Sequence, residues 1–336
     1  MTAARMGGTE GRIRSFDPFR DVEAVVELIG AAFGDRLDPA GRATLARMRR
    51  FARGGPVLQW LWLFLGRATA APGLVWEDDG RIVGNVSLRR ARSRGGYLIG
   101  NVVVHPDWRG QGIGTALMRA AIDMVSGRGA HWVGLEVRAD NHVACQLYEG
   151  IGFREVGRTL YMLRPAGLPW ERSNSLPGSV RRGSSRDADA LVELMLAAIP
   201  GEHRGLLEVE EIDYRPSGKR ALEHWFRGER EVWWVVDQGG AVYGAVRVVR
   251  KRGRYPNHIE ILVRPEHEGR LETALVSQGI VSLKGSAKKP IEIQLPMPCV
   301  HSLTALEEEG FEKLRVLIQM KRSLRHRVSV NVRTPG

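Results

Sequence analysis

The residues with the clearest chemical potential stand in a row. Arg109-Gly110-Gln111-Gly112-Ile113-Gly114 follows the apolar run Val102-Val103-Val104 and the turn HPDW, and a helical pattern begins at once. Glycine lacks the Cβ that would hold a ligand away from the backbone. The first turn of a helix adds N–H groups without acceptors and the positive end of its dipole. Together they make an anion site suited to a pyrophosphate, to which Arg109 would add a charge-assisted contact. The same residues also read as an ordinary strand-to-helix turn. The spacing excludes two nucleotide folds. G-x-G-x-x-G is not met, no acid follows about 20 residues on at a strand end to hold a ribose, and the Gly-Lys-Ser/Thr of a P-loop is missing.

A second group lies in LEVRADNHVACQLYEGIGF, residues 135–153. Val133, Leu135 and Val137 alternate with Gly134, Glu136 and Arg138. Glu136 therefore faces away from the apolar side, where it lines a cleft or stands in solvent beside an arginine. Asn141 directly precedes a helical pattern and fits an N-cap. Tyr148 fits a core aromatic on a helix face. His105 and Cys145 invite a Cys–His reading, but Cys145 falls on an apolar helix face, where a structural thiol fits better. His105 belongs to the turn. Neither a Ser-His-Asp arrangement nor metal-ligand spacing stands out.

Positioning these residues takes a scaffold, and the periodicity predicts one. A strand precedes a helix over about 21–33, and 39–65 is helical or irregular. A hairpin turns at Asp79-Gly80. GYLIGNVVV is a strand, 115–126 a helix, HWVGLEVRA a strand, the segment from the Asn141 cap through Glu149 a helix, and FREVGRTLYML a strand. Strands and helices interleaved after an antiparallel hairpin argue for a mixed α/β fold, a largely antiparallel sheet flanked by helices.

The pattern occurs twice. IRSFDPFRDVEAVVELIGAAFG (13–34) is echoed by VRRGSSRDADALVELMLAAIP (180–200), VVVHPDWRGQGIGTALM (102–118) by ILVRPEHEGRLETALVS (261–277), and LYEGIGF (147–153) by LEEEGF (306–311). Three echoes in one order predict a tandem duplication. RPAGLPWERSNSLPGS (164–179) reads as the linker. The expected organisation is a first domain over 1–167, a linker over 168–178 and a second domain over 179–336. The echoes place Glu268 at the position of Arg109, Leu271 at Gly112, Thr273 at Gly114 and Leu306 at Tyr148. An acid repels a pyrophosphate, and Leu and Thr crowd its approach. The second half is therefore expected to keep the fold without the anion site, covering one side of the first half or stabilising it.

Bulk properties narrow the class. The 336 residues are 43% hydrophobic and 26% charged, as expected of a soluble globular chain of two domains. No run of ~20 apolar residues exists, and the start has no signal-peptide core. Two cysteines make no disulfide framework. The expected compartment is the cytoplasm, with no membrane partner. Residues 1–170 hold 23 arginines, no lysine and 16 acids, and the rest holds 27 basic and 22 acidic residues, which gives +12 in all. Such a field favours anionic ligands, a polyphosphate cofactor or nucleic acid. It is equally what an arginine-rich proteome yields.

VVVHPDWRGQGIGTALM is similar to the acyl-CoA-binding motif Arg/Gln-x-x-Gly-x-Gly/Ala of the Gcn5-related N-acetyltransferase (GNAT) superfamily. LEVRADNHVACQLYEGIGF resembles that family's next motif, in the form seen in ribosomal-protein and protein N-terminal acetyltransferases. Residues 97–153 carry the resemblance, 12–163 follow it, and the second half resembles the family in layout. The resemblance implies two tandem GNAT-like domains and one acetyl-CoA, held by the first. Backbone amides of Gln111, Gly112, Gly114 and Thr115, in the loop with Arg109, Gly110 and Ile113, would hold the pyrophosphate. The backbone of Val102, Val103 and Val104 would pair with the pantetheine arm, Asn141 would bond that arm, and a backbone N–H near Val103 or Val104 would serve the oxyanion. Tyr148 matches the general acid for the leaving thiolate. Glu136 stands where N-terminal acetyltransferases of this form carry a glutamate base. Many members instead place an acid on the strand before the loop, where this chain has Asn101, which cannot act as a base. The family usually has two strands after the Gly-Phe. The first half has room for one, and HRVSVNVRTPG (326–336) alternates like a strand that completes a sheet in its own half or in the other.

The implied function is acetyl-CoA-dependent acetyl transfer to a primary amine, on a protein or peptide N-terminus or a small molecule, by a monomer or homodimer. Residues 33–50, 59–64 and 158–164 are expected to shape the acceptor pocket. The alternative is a non-enzymatic acyl-CoA sensor or interaction protein. Nucleic-acid binding, prompted by charge alone, comes last.

Overall fold

A computed structural model of the chain describes residues 11–33, 42, 45–46, 48–49, 70–169, 180–238, 241–253, 255–286 and 288–324. In the first half, β1 (Arg12–Ser15) leads into α1 (Val22–Phe33), and β2 (Ala70–Asp78) and β3 (Arg81–Arg90) form a hairpin. Next, β4 (Gly96–Val104) runs through a 3-10 turn, Pro106–Trp108, into α2 (Ile113–Ser126). Then come β5 (Trp132–Arg138), α3 (His142–Gly150) and β6 (Arg154–Arg164). The second half repeats the plan with β7 (Val180–Arg182), α4 (Ala188–Ala198), α5 (Gly201–Leu207), α6 (Gly218–Phe226), β8 (Glu229–Gln238), β9 (Ala241–Lys251), β10 (Asn257–Val263), α7 (Glu272–Ser282), β11 (Ile291–Pro296), α8 (Val300–Glu308) and β12 (Glu312–Ser323).

Local chemistry accounts for several boundaries. Asp79 and Gly80 are both left-handed (φ 45° and 74°), the geometry that lets a two-residue turn follow the twist of the β2–β3 hairpin. Asn141 caps α3, its side chain accepting the Ala144 N–H at 3.3 Å. The predicted helices and strands of residues 96–164 are all present, within two residues of their expected ends. The segments at 34–41 and 50–69, and the C-terminal 326–336, lie outside the described residues, as does most of the expected linker.

The twelve strands of the described residues form one sheet in the order β1-β2-β3-β4-β5-β12-β6-β11-β10-β9-β8-β7. Replacing each strand by its counterpart in the other half reverses this order. The sheet therefore has an approximate two-fold relation centred between β12 and β6, where Leu317 stands opposite Thr159. The centre is an exchange. Strand β12 pairs with β5 of the first half, and β6 pairs with β11 of the second. The shortage of strands after the first Gly-Phe is made up from the other half.

Packing follows the exchange. Ile318 and Met320 of β12 join the core formed by β2–β5 with α2 and α3, while Leu160 and Met162 of β6 join the core under α7 and α8. Each such side chain contributes about 1.5–3 kcal/mol when fully buried, so neither half has a complete core without the other. On the opposite face, α1 covers Val75 and Val103, and α4 covers Val235 and Ala245. The short α5 lies on that same face, across β6 and β12.

Candidate active site

The glycine loop opens α2. Gly110 and Gly112 both sit at φ 78°, a conformation that residues with a Cβ rarely adopt. Gly112 is the N-cap of α2 and brings no capping side chain. Ala116 is the first residue whose N–H bonds back, to the Gly112 carbonyl at 3.0 Å. The N–H groups before it point out of the helix end. A Cβ built on Gly110 meets nothing within 4 Å, so the approach is open. Arg109 donates from Nε to the Val104 carbonyl at 3.2 Å, which ties the loop to the end of β4. A Cβ on Gly114 would touch Leu147 of α3 and Val104 of β4. Helix α2, strand β4 and helix α3 thus converge at the loop.

Beside the loop, the sheet splits. Strands β4 and β5 are paired from Gly96–Trp132 to Ile99–Leu135 and no further. A bulge in β4, with Asn101 left-handed at φ 48°, accompanies the parting. Its carbonyl accepts from Asn85 Nδ2 at 2.9 Å. Beyond it, Val103 and Val104 pair with Asn85 and Gly84 of β3, and the Val102–Val104 run leaves its other edge toward the opening. A backbone edge next to an anion-ready helix end is what an extended, phosphate-bearing ligand requires.

Glu136 stands on β5 at the mouth of this split. The residue keeps solvent-facing surface along the cleft, and the protein packed around it governs its titration. Burial pushes its pKa above the ordinary glutamate value. A hydrogen bond from Gln319 and the charge of Arg89 oppose that rise, and the nearby Glu208 adds to it. Glu136 is therefore bonded not to an arginine but to the amide of Gln319, whose Nε2 donates to Oε1 at 2.9 Å.

Tyr148, on α3, is 7% exposed and packs within the first core, its ring 6.1 Å from that of Phe153. Burial, with a smaller effect of Cys145, pushes its pKa up to about 12. The phenol therefore keeps its proton at neutral pH. His105 and Cys145 are engaged separately. His105 Nδ1 accepts the Asp107 N–H at 3.4 Å, and Cys145 Sγ lies 3.9 Å from the Arg138 carbonyl. Burial raises the Cys145 thiol as well, which suits a structural role.

The second half builds one side of this cleft. On α5, Leu206 lies over Gly134 and His203 over Gly157, so closely that a Cβ on either glycine would overlap them. Just past α5, Glu208 accepts from Arg89 Nη1 at 2.5 Å and from the Arg92 N–H at 3.2 Å. Arg92 also pairs with Asp213 at 2.7 Å. Of residues 158–164, expected to shape the pocket, only alternate ones can. Thr159 joins this face through its bond to Gln319, while Leu160 and Met162 point into the second core. Gln319, Thr159, Leu206 and Glu208 carry no local sequence signal. The only hint of them was the missing strand.

The counterpart loop in the second half is built differently. Gly84 on β3 makes room for Ile113 and Leu117, and Gly244 on β9 makes room for Leu271 and Leu275. This packing equates Leu271 with Ile113 and Glu272 with Gly114, which shifts the expected match by one. The turn is thus one residue shorter. Glu272, 3% exposed, accepts the Gly269 N–H at 3.0 Å and the Leu271 N–H at 3.2 Å with its own carboxylate. Two of the backbone donors at this helix end are thus already taken. Leu306, 0% exposed, fills the place of Tyr148, and Gln294 that of Glu136. A cavity of about 740 Å³ does open beside β10 and β11. In its wall, Arg247 pairs with Glu260 and, behind the lining, with Glu231, and Tyr214 donates to Glu260. Volume alone does not make it the reactive site.

Residues 43–153 match the model of the acetyltransferase (GNAT) family. The chain is 37% identical over 79 residues to N-alpha-acetyltransferase 30 of Schizosaccharomyces pombe, covering 23% of this chain and 53% of that protein. It is 47% identical over 55 residues to the [ribosomal protein bS18]-alanine N-acetyltransferase of Escherichia coli K12, covering 16% and 37%. The chain thus spans about half or less of the length of the curated relatives it matches. A solved structure described as a tandem GNAT protein from the clavulanic acid biosynthesis pathway aligns over 94% of this chain and 98% of its own, with a TM-score of 0.59 and 18% identity. The first half carries the sequence motifs of the GNAT family, and the chain as a whole has the tandem GNAT fold. No helix among the described residues is long and apolar enough to cross a membrane.

Proposed function

We propose that this chain is an acetyl-CoA-dependent N-acetyltransferase whose first half transfers an acetyl group to a primary amine. The observation that carries the reading is the junction of an open glycine cradle with a split sheet that has Glu136 at its mouth. The residues present fit acetyl-CoA. The left-handed Gly110 and Gly112 and the outward N–H groups of α2, including those of Ile113, Gly114 and Thr115, suit the pyrophosphate, with Gln111 and Arg109 beside them. The free edge of Val102, Val103 and Val104 suits the pantetheine arm, and Asn141 lies at the start of the facing helix.

When bound, acetyl-CoA supplies the activated acetyl thioester. The protein's part is to prepare the amine and manage protons. An amine attacks only when neutral, so its ammonium proton must be taken up. Glu136 suits this, because a carboxylate with a raised pKa is a better base near neutral pH. Tyr148 Oη retains its proton at the same pH and is a fitting acid for a thiolate. The wall made by Leu206, His203 and Glu208 limits what amine reaches Glu136. The names of the two curated relatives support a peptide N-terminus as the acceptor. The second half is assigned no cofactor.

Thiol release from acetyl-CoA over a panel of peptides and small amines tests the proposal, with Tyr148→Phe as the control. Turnover on at least one amine, lowered ~100-fold by the substitution, is the expected result. Tight binding without turnover on any amine would instead make the chain an acyl-CoA sensor.

A further inference from the structure

The exchanged strand β12 brings one polar side chain to the centre of the sheet. Gln319 is 0% exposed, flanked on its own strand by the core residues Ile318 and Met320. Its Nε2 spends both hydrogens, one on Glu136 Oε1 and one on Thr159 Oγ1, each at 2.9 Å. Its Oε1 has no hydrogen-bond partner among the described residues. Burying an amide with an orphan acceptor is unfavourable, and an apolar residue there would be easier to pack. The relation between the halves supplies the contrast. At the corresponding pair on the other side, Gln294 stands opposite Tyr161. Carboxylate and amide face each other only at the split that lies beside the open glycine cradle.

We infer that Gln319 is a positioning residue for Glu136, contributed by the second half to the chemistry of the first. This rests on the reading of Glu136 as the base. Thr159 fixes one side of the amide, so the other N–H is aimed at a single carboxylate oxygen and leaves Oε2 for the acceptor amine. Donation to the ionised form also keeps the carboxylate charged and ready to take a proton, against the burial that would neutralise it. The other charged or titratable groups around Glu136 are Arg89 from β3, Glu208 beyond α5, and Tyr161 on β6. His203 from α5 sits over Gly157, the residue opposite Gln319. Of these and Gln319, only Gln319 is hydrogen-bonded to the carboxylate.

The test compares Gln319→Met, close in shape but without the donor, with Thr159→Val and Glu136→Gln in the full chain. In Gln319→Met the acidic limb of the kcat/KM profile should move to higher pH. The rate should be roughly ten-fold lower on the acid side and should converge on the parent rate at high pH, with acetyl-CoA affinity unchanged. Thr159→Val, which only loosens the amide, should move the limb the same way by less, and it keeps the test available should Gln319→Met fold poorly. Carbon-13 NMR titration of the Glu136 carboxyl gives a readout free of turnover. An unmoved Glu136 titration in Gln319→Met overturns the proposal, as does a loss of rate equal at every pH. If the titration moves but Glu136→Gln turns over like the parent, the contact stands and the assignment of Glu136 as base falls.

Discussion

The two loops that open α2 and α7 are the same turn finished in two ways. Both follow a Pro-containing 3-10 turn and a left-handed glycine, Gly110 in one and Gly269 in the other. In the first, the chain leaves backbone donors facing outward. In the second, one residue is missing and Glu272 folds back to accept from two of them, Gly269 and Leu271. A helix end can thus be closed without disturbing the helix, the strand or the core between them. What is lost is the unsatisfied state of a few N–H groups, on which an anion site depends.

The largest effect should come from moving the plug. Gly114→Glu places a carboxylate in the first loop where Glu272 stands in the second. It should weaken acetyl-CoA binding at least ~100-fold in calorimetry, because a charge at the donors repels phosphate, while the parent binds one equivalent. Two equivalents bound by the parent would break the comparison. Next, Glu136→Gln should lower kcat/KM ~100-fold or more with acetyl-CoA affinity unchanged, whereas Gln294→Leu in the second half should leave turnover alone.

A third, smaller effect is a pH shift. Glu136 has a raised pKa, so activity should fall as pH drops through a value above that of an ordinary glutamate. Glu208→Gln removes a neighbouring negative charge and frees Arg89, and both changes favour the ionised carboxylate. The acidic limb of the pH profile should therefore move to lower pH, and a move upward would contradict the arrangement. Smallest of all, Glu272→Ala should open the second loop without creating a site, because the turn remains one residue short. Stability should fall by about 0.5–2 kcal/mol, as for loss of a helix cap, and the stoichiometry should stay at one.

Sequence alone carried the local features well. Glycines at 110 and 112, the Asp79-Gly80 turn and the Asn141 cap each write their conformation into residue type. The alternation around Glu136 set its face correctly. Its partner was another matter. Strands β6 and β12 have similar alternation and follow the same Gly-Phe, so periodicity cannot say which of β5 and β11 each will join. Every residue that depends on that choice was hidden with it, Gln319 and Thr159 above all. Leu206, His203 and Glu208 were hidden because their partners lie far along the chain. The one-residue shift in the second loop was masked because Leu271 fits either match, and only the contacts with Gly244 decide it.

The exchange also sets an order of assembly. During synthesis β12 emerges after every other strand of the described residues, so until residues 312–323 exist the first half has an unpaired edge at β5 and a core missing Ile318 and Met320. An exposed edge over an incomplete core is a surface on which nascent chains associate. Meanwhile β6 must wait for β11, which is made more than a hundred residues later. The half that holds the candidate site is thus translated first and finished last. A ribosome that stops before β12 would release a chain with every glycine of the cradle in place and no partner for Glu136.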